Sequence, residues 1–160
     1  MVLGGISALR NIRTNDDPIL RKNSRKVEEI DRRTQILIDD MFDTMYDAGG
    51  VGLAAVQVGV LKQVIVIDTD QPGERLVLIN PEIIAVEGEN NSPEGCLSIP
   101  GKAGYVTRPD KVTVRAMDRD GNVYEKTGTG LLAKAFCHEI DHLSGVLYID
   151  KVNKWVNDEE

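Results

Sequence analysis

The sequence is poor in several residue types that particular classes of protein require. Its 160 residues include two cysteines, two histidines and an aromatic fraction of 4%. Two cysteines provide no disulfide framework, which favours a reducing compartment. No apolar run approaches the length that crosses a bilayer, and the glycine-rich start at residues 1–6 is too short for a secretory signal. We therefore expect a soluble cytoplasmic protein with no membrane association.

The charge balance of the chain is acidic. Lysine and arginine total 19 against 26 aspartates and glutamates, which gives a formal net charge of −7. This balance argues against a broad nucleic-acid surface, so we expect no direct reading of nucleic acid. The length predicts a single domain over residues 1–160, with residues 1–7 as a flexible extension and residues 151–160 as a short C-terminal tail.

The two histidines of the chain lie four positions apart, at His138 and His142. The apolar spacing from Leu131 to Leu143 is helical, and in a helix this separation puts both imidazoles on one face, where they can reach a single ion. Glu139 lies beside them, at the position where a metallohydrolase needs a base. Two ordinary surface or core histidines are the alternative interpretation.

A catalytic site built on two histidines needs a third protein ligand, which is either a carboxylate or a cysteine. Cys96 is the better cysteine, because Gly95 before it lets the backbone come close to a ligand. Cys137 adjoins His138 but points about 100° away from the ligand face of the helix. A small, buried structural cysteine is the alternative at position 96.

A glycine-rich segment at residues 48–55 precedes these groups in the chain. It lacks the Gly-Lys-Ser or Gly-Lys-Thr ending of a phosphate-binding loop, so we do not predict nucleotide binding. Small residues would instead let an extended backbone pass close to the metal and pair with a peptide substrate. A structural turn without functional contacts is the alternative.

Three separated segments of the chain resemble the signature motifs of the peptide deformylases. They are GVGLAAVQ at residues 50–57, EGCLSIP at 94–100 and HEIDH at 138–142, and the resemblance extends over most of the 160 residues. It implies a metal-dependent hydrolase that removes the N-formyl group from the N-terminal formyl-methionine of newly synthesised polypeptides and releases formate.

The resemblance also implies roles for individual residues. The metal ligands would be Cys96, His138 and His142. Glu139 would act as general base and then as general acid. The cation lowers the pKa of its bound water from 15.7 towards about 7, and the Glu139 carboxylate accepts the proton that this water loses. The same carboxylate later protonates the leaving amine. Gln57 and the backbone N–H of Leu97 would stabilise the charge that develops on the formyl oxygen. The substrate would contact Val51, Gly52, Ile99, Leu131 and Ala135.

The resemblance implies one divalent ion per chain, and the family favours ferrous iron. A thiolate with two imidazoles also suits zinc, and nickel or cobalt can substitute for iron.

The expected partners are formylated nascent peptides, with a transient ribosome contact. We expect a monomer in the bacterial cytoplasm; an organelle is the alternative compartment. Many bacterial members continue into a long C-terminal helix, whereas here only residues 151–160 remain. For Arg108, an ion pair with Glu94 and a solvated side chain are the two alternatives. Lys134 is interpreted as a surface lysine or as an aliphatic wall of the pocket.

Local patterns predict an α+β fold, with mostly antiparallel sheets packed around a central metal-binding helix. A helix start is expected at Asp17-Pro18 and an amphipathic helix at residues 34–47. Strands are expected at residues 63–69, 75–79, 82–87, 111–118 and 122–126.

Two other functions use the same residues. A metallopeptidase would share the histidine pair, but a thiolate ligand makes the ion a weaker Lewis acid than the usual ligand set would. A protein that only binds metal or peptide would not need Glu139, Gln57 and Cys96 together.

Overall fold

The computed structural model describes residues 8–157, so the expected extension at residues 1–7 lies outside the described part of the chain. The helices are α1 (Arg32–Asp47) and α2 (Gly130–His142), with 3₁₀ turns at Pro18–Arg21, Ala55–Val58 and Tyr148–Asp150. The strands are β1 (Gly52–Ala54), β2 (Val64–Asp68), β3 (Arg75–Glu87), β4 (Asn90–Cys96), β5 (Ile99–Arg108), β6 (Lys111–Met117), β7 (Val123–Thr129) and β8 (Lys154–Trp155). Within residues 8–157, no helix is both long enough and apolar enough to cross a membrane.

The strands form two antiparallel sheets. The larger has the order β1-β2-β3-β6-β7, and the smaller has the order β4-β5-β8. The larger sheet lies between the two helices: Ile65 and Ile67 of β2 pack with α2, whereas Val64 and Val66 pack with α1. Because β2 is covered on both faces, its apolar residues run without alternation. The predicted α+β fold with mostly antiparallel sheets is confirmed, and the position of α2 is consistent with the predicted central helix.

Helix α1 follows its sequence signals closely. The side chain of Asp31 accepts a hydrogen bond from the Thr34 N–H at 3.0 Å, so the helix begins two residues before the predicted start at position 34. Leu37, Ile38 and Met41 recur at helical spacing and are buried against the sheet. The predicted end at Asp47 is confirmed.

The smaller sheet was not predicted, and it carries the cysteine. β4 and β5 form a hairpin in which Cys96 pairs with Ile99 across the two-residue turn at Leu97 and Ser98. The β4 sequence NNSPEGC has little strand propensity, so pairing with β5 determines its conformation rather than local preference. β8 pairs with β5 through Gly104 and Trp155, so part of the expected tail belongs to this sheet.

The two strands predicted at residues 75–79 and 82–87 are one strand, β3. The prediction placed a break at Asn80-Pro81, whereas the structure has a register shift there between Ile79 and Glu82. Asn80 adopts a positive φ of 51°, and its side chain accepts a hydrogen bond from the Val27 N–H. The irregularity is therefore a bulge within a continuous strand.

Candidate active site

Three metal-binding side chains converge where the β4–β5 hairpin meets α2. The ligand atoms of Cys96, His138 and His142 all lie within 4.8 Å of one another. The Cys96 Sγ lies 3.5 Å from the His142 Nε2. Tetrahedral bonds of about 2.3 Å to sulfur and 2.1 Å to nitrogen would separate these atoms by roughly 3.6 Å. The donor set therefore fits one divalent ion.

Glu94 fixes the orientation of His138. The His138 Nδ1 lies 3.1 Å from the Glu94 Oε1, and because a carboxylate only accepts, Nδ1 carries the proton and Nε2 is left to bind the ion. Arg108 donates to both oxygens of Glu94 at 2.8 and 3.0 Å, and also to Asp141 at 2.8 Å. Burial raises the pKa of Glu94, but the hydrogen bonds from Arg108 and His138 outweigh it and lower that pKa to about 2. Of the two alternatives for Arg108, the structure has the ion pair with Glu94.

His142 is buried, and its imidazole is held in the neutral form. Burial is the main cause that lowers the pKa of His142 to about 3. A neutral imidazole is the form that binds a metal ion. Cys137 lies outside the ligand cluster, as its position on the helix predicts, and burial raises the pKa of its thiol.

Glu139 lies beside the ligands and is almost completely buried. Its Oε2 is 3.9 Å from the His138 Nε2, while its Oε1 has no hydrogen-bond partner within residues 8–157. Burial raises the pKa of Glu139 to about 7. A carboxylate whose pKa lies near neutrality can both accept and return a proton.

Gln57 is held by both ends of its amide. Its Oε1 accepts from the Ala54 N–H at 2.9 Å, which directs the Nε2 towards the site. That Nε2 donates to the Ser98 Oγ at 3.1 Å and lies 3.6 Å from the Cys96 Sγ. The fully buried Ser98 was not predicted as a site residue; its place in the EGCLSIP segment was the available signal.

A cavity of about 460 Å³ opens in front of these groups. All the predicted site residues except His142 line it: Val51, Gly52, Gln57, Cys96, Leu97, Ile99, Leu131, Ala135, His138 and Glu139. Lys134 also lines the cavity, in agreement with its interpretation as a wall of the pocket. The walls further contain residues outside the predicted site set: Gly49, Gly50, Pro93, Glu94, Gly95, Pro100, Gly101 and Lys102. The three sequence motifs therefore meet around one cavity.

Gly52 is required by the position of Glu139. A Cβ built on Gly52 would lie 2.7 Å from the Glu139 Oε2, closer than real side-chain contacts allow. Gly52 belongs to β1, which is an edge strand of the larger sheet. Because Gly52 has no side chain, the backbone of this edge strand passes directly beside the Glu139 carboxylate.

Comparisons with known proteins agree with this site. The family model described as polypeptide deformylase matches residues 9–158. The peptide deformylase of Lachnoclostridium phytofermentans is 60% identical over 152 residues, which cover 94% of this chain and 93% of that protein. The peptide deformylase of Alkaliphilus metalliredigens is 59% identical over 148 residues, covering 92% and 99%. The crystal structure of a peptide deformylase from Legionella pneumophila superposes with a TM-score of 0.88 at 50% identity, covering 91% of this chain and 87% of that chain.

The match spans all three motifs and the whole cavity. The thiolate and imidazole cluster, together with this family, supports one divalent metal ion per chain. The chain therefore belongs to the peptide deformylase family, and it is a hydrolase that removes the N-formyl group from newly synthesised polypeptides.

Proposed function

We propose that Cys96, His138 and His142 hold the catalytic ion and that the nearby side chains divide the remaining work. The observation that carries this proposal is the convergence of the three ligand atoms within 4.8 Å, beside a buried carboxylate oxygen that has no hydrogen-bond partner among residues 8–157. When bound, a divalent ion supplies Lewis acidity, which makes water a nucleophile near neutral pH and polarises the formyl carbonyl.

Glu139 is the general base and then the general acid. Its carboxylate accepts the proton from the attacking water and returns it to the amine of the methionine as formate leaves. Burial favours this role because it raises the pKa of Glu139 above its ordinary value, which makes its carboxylate a stronger base. Gly52 leaves room for the carboxylate in this position.

Gln57 and the backbone N–H of Leu97 stabilise the negative charge that develops on the formyl oxygen. The Gln57 amide is oriented before substrate arrives, because Ala54 fixes its oxygen and Ser98 accepts from its nitrogen. Donors fixed in advance in this way contribute on the order of 3 kcal/mol each to transition-state stabilisation. Leu97 lies in the tight turn directly after Cys96, so its N–H is held close to the ligand sulfur.

The peptide binds along β1, with its formyl-methionine in the cavity. The outer edge of β1 has no strand partner within residues 8–157, so an extended peptide can add to it through backbone hydrogen bonds at Gly52. The apolar walls supplied by Val51, Ile99, Leu131 and Ala135 suit the methionine side chain.

The native ion in this proposal is ferrous iron, which a thiolate and two imidazoles can bind. The chain acts as one catalytic domain over residues 1–160, as a monomer in the bacterial cytoplasm, with a transient contact to the ribosome. The identity of the ion is tested by elemental analysis of protein purified without oxygen, together with an activity assay. We expect about one iron per chain, and full activity in zinc-loaded protein that lacks iron would contradict ferrous iron as the native ion.

The test of the residue roles is a comparison of metal content with turnover in Glu139→Gln. We expect deformylation of a formyl-methionine peptide to fall by at least about a thousandfold, while the metal content stays at one ion per chain. Wild-type activity in this variant would contradict the proposed role. Cleavage of internal peptide bonds with formyl groups left intact would favour the metallopeptidase alternative.

A further inference from the structure

Two lysines from different elements line the active-site cavity. Lys102 lies in β5 and is exposed, whereas Lys134 lies in α2, one turn before His138, and is half-buried. The cavity therefore has one ammonium group on its hairpin wall and another on its helix wall.

The positive charge of these lysines is not balanced by the acidic groups of the cavity. The carboxylates in its lining are Glu94 and Glu139, both buried, and Glu94 is already held by Arg108. Within residues 8–157, neither Lys102 nor Lys134 forms an ion pair with a carboxylate. The mouth of the cavity is thus cationic in a chain whose net charge is −7.

Neutral contacts hold both side chains in place. The Lys134 Nζ donates to the Pro93 carbonyl oxygen at 3.0 Å, which leaves two of its three N–H donors available. The Lys102 Nζ lies 5.4 Å from the ring centroid of Trp155, a cation–π contact that keeps the full positive charge. Both ammonium groups can therefore meet an anionic group on a bound peptide.

The geometry points to a preference for nascent chains that carry an acidic side chain at the second or third residue, recognised by Lys102 and Lys134. This inference rests on the proposed function, because it places the formyl-methionine in the same cavity. The residues that follow methionine must leave through the mouth, where a glutamate would find two cations and a lysine would be repelled. The substrate class is thus formyl-methionyl peptides with an acidic second or third residue.

The experiment compares kcat/KM of the metal-loaded enzyme for peptide pairs that differ only in charge. Formyl-Met-Glu-Ser amide is paired with formyl-Met-Gln-Ser amide, and formyl-Met-Ser-Glu amide is paired with formyl-Met-Ser-Gln amide. All four peptides end in an amide, so that no terminal carboxylate interferes. In at least one pair we expect the glutamate peptide to be favoured by about three- to fivefold at low salt, the size typical of exposed ion pairs. The ratio should fall towards one at about 0.5 M salt, because salt screens such pairs.

The Glu-to-Gln ratio in variants assigns the preference to the two lysines. The ratio should fall to about one in the double variant Lys102→Gln/Lys134→Gln and should invert in Lys102→Glu/Lys134→Glu. The control is Lys126→Gln, which lies on β7 outside the cavity and should keep the wild-type ratio. Equal kcat/KM values for both pairs in the wild type, or an unchanged ratio in the double glutamine variant, would overturn the inference. Failure to deformylate any of the four peptides would instead reject the proposed function.

Discussion

The carboxylate of Glu139 fills the space that a side chain on residue 52 would need. The Cβ built on Gly52 lies 2.7 Å from the Oε2 of Glu139 and 3.0 Å from its Cδ. Real side-chain contacts are longer, so any larger residue at position 52 must displace Glu139 or the β1 backbone. The glycine of the first motif thus determines where the acid of the third motif can lie.

Replacing Gly52 by alanine should therefore reduce catalysis more than folding. Displacing a catalytic group by about 1 Å can cost on the order of a hundredfold in rate. We expect kcat of Gly52→Ala to fall by one to two orders of magnitude, with one metal ion per chain retained because all three proposed ligands lie elsewhere. Steady-state kinetics with elemental analysis measures both, and an unchanged kcat would contradict the close contact.

Removing Arg108 should destabilise the protein strongly. Its guanidinium is buried between Glu94 and Asp141, so Arg108→Ala leaves the buried Glu94 carboxylate without its main partner. Breaking a buried pair in this way costs about 3 kcal/mol or more in the free energy of unfolding. Urea denaturation of the two proteins measures the difference.

Arg115 provides the matched control for that experiment. It also contacts two carboxylates, Glu82 and Glu125, but on the exposed face of the larger sheet. Solvent screens these pairs, so Arg115→Ala should change stability far less than Arg108→Ala does. Equal losses of unfolding free energy in the two variants would show that burial of the Arg108 ion pairs adds nothing to stability.

Stability in acid should depend on Glu94. The pKa of this carboxyl is about 2 in the folded protein against an ordinary value of 4.5, so its charged form is favoured by folding. The contribution is complete above about pH 4.5 and is lost as the pH falls towards 2. Between these values the free energy of unfolding of metal-free wild-type protein should fall more steeply with decreasing pH than that of Glu94→Gln. Parallel curves would contradict the assignment.

Filling the pocket at position 135 should impair substrate binding without disturbing the metal. Ala135 is buried at the wall of the cavity, one turn before Glu139. A phenylalanine there would project into the space proposed for the methionine side chain, so we expect KM for formyl-methionine peptides to rise by at least tenfold in Ala135→Phe. Metal content serves as the control, and an unchanged KM at full metal loading would place the methionine elsewhere.

The sequence predicted the elements whose patterns are local. α1 has an aspartate cap and a helical apolar stripe, and β2 is a continuous apolar run, so both were found to within two residues. The His138–His142 spacing likewise predicted two metal ligands, because the helix alone determines their separation. These features need no knowledge of distant residues.

Features that depend on long-range pairing were missed. β4 is polar and becomes a strand only because β5 pairs with it, so the hairpin that presents Cys96 had no periodic signal. The hydrogen bond from His138 to Glu94 joins residues 44 positions apart and was not predicted for the same reason. Asn80-Pro81 looked like the end of a strand, whereas neighbouring strands hold it as a bulge.

The shared ion is tested most directly by X-ray absorption spectroscopy, with elemental analysis, on protein purified without oxygen. We predict one divalent ion per chain, coordinated by one sulfur and two imidazole nitrogens, with the sulfur signal absent in Cys96→Ser. A stoichiometric ion with no sulfur neighbour, or an identical spectrum in Cys96→Ser, would contradict a site built from Cys96, His138 and His142.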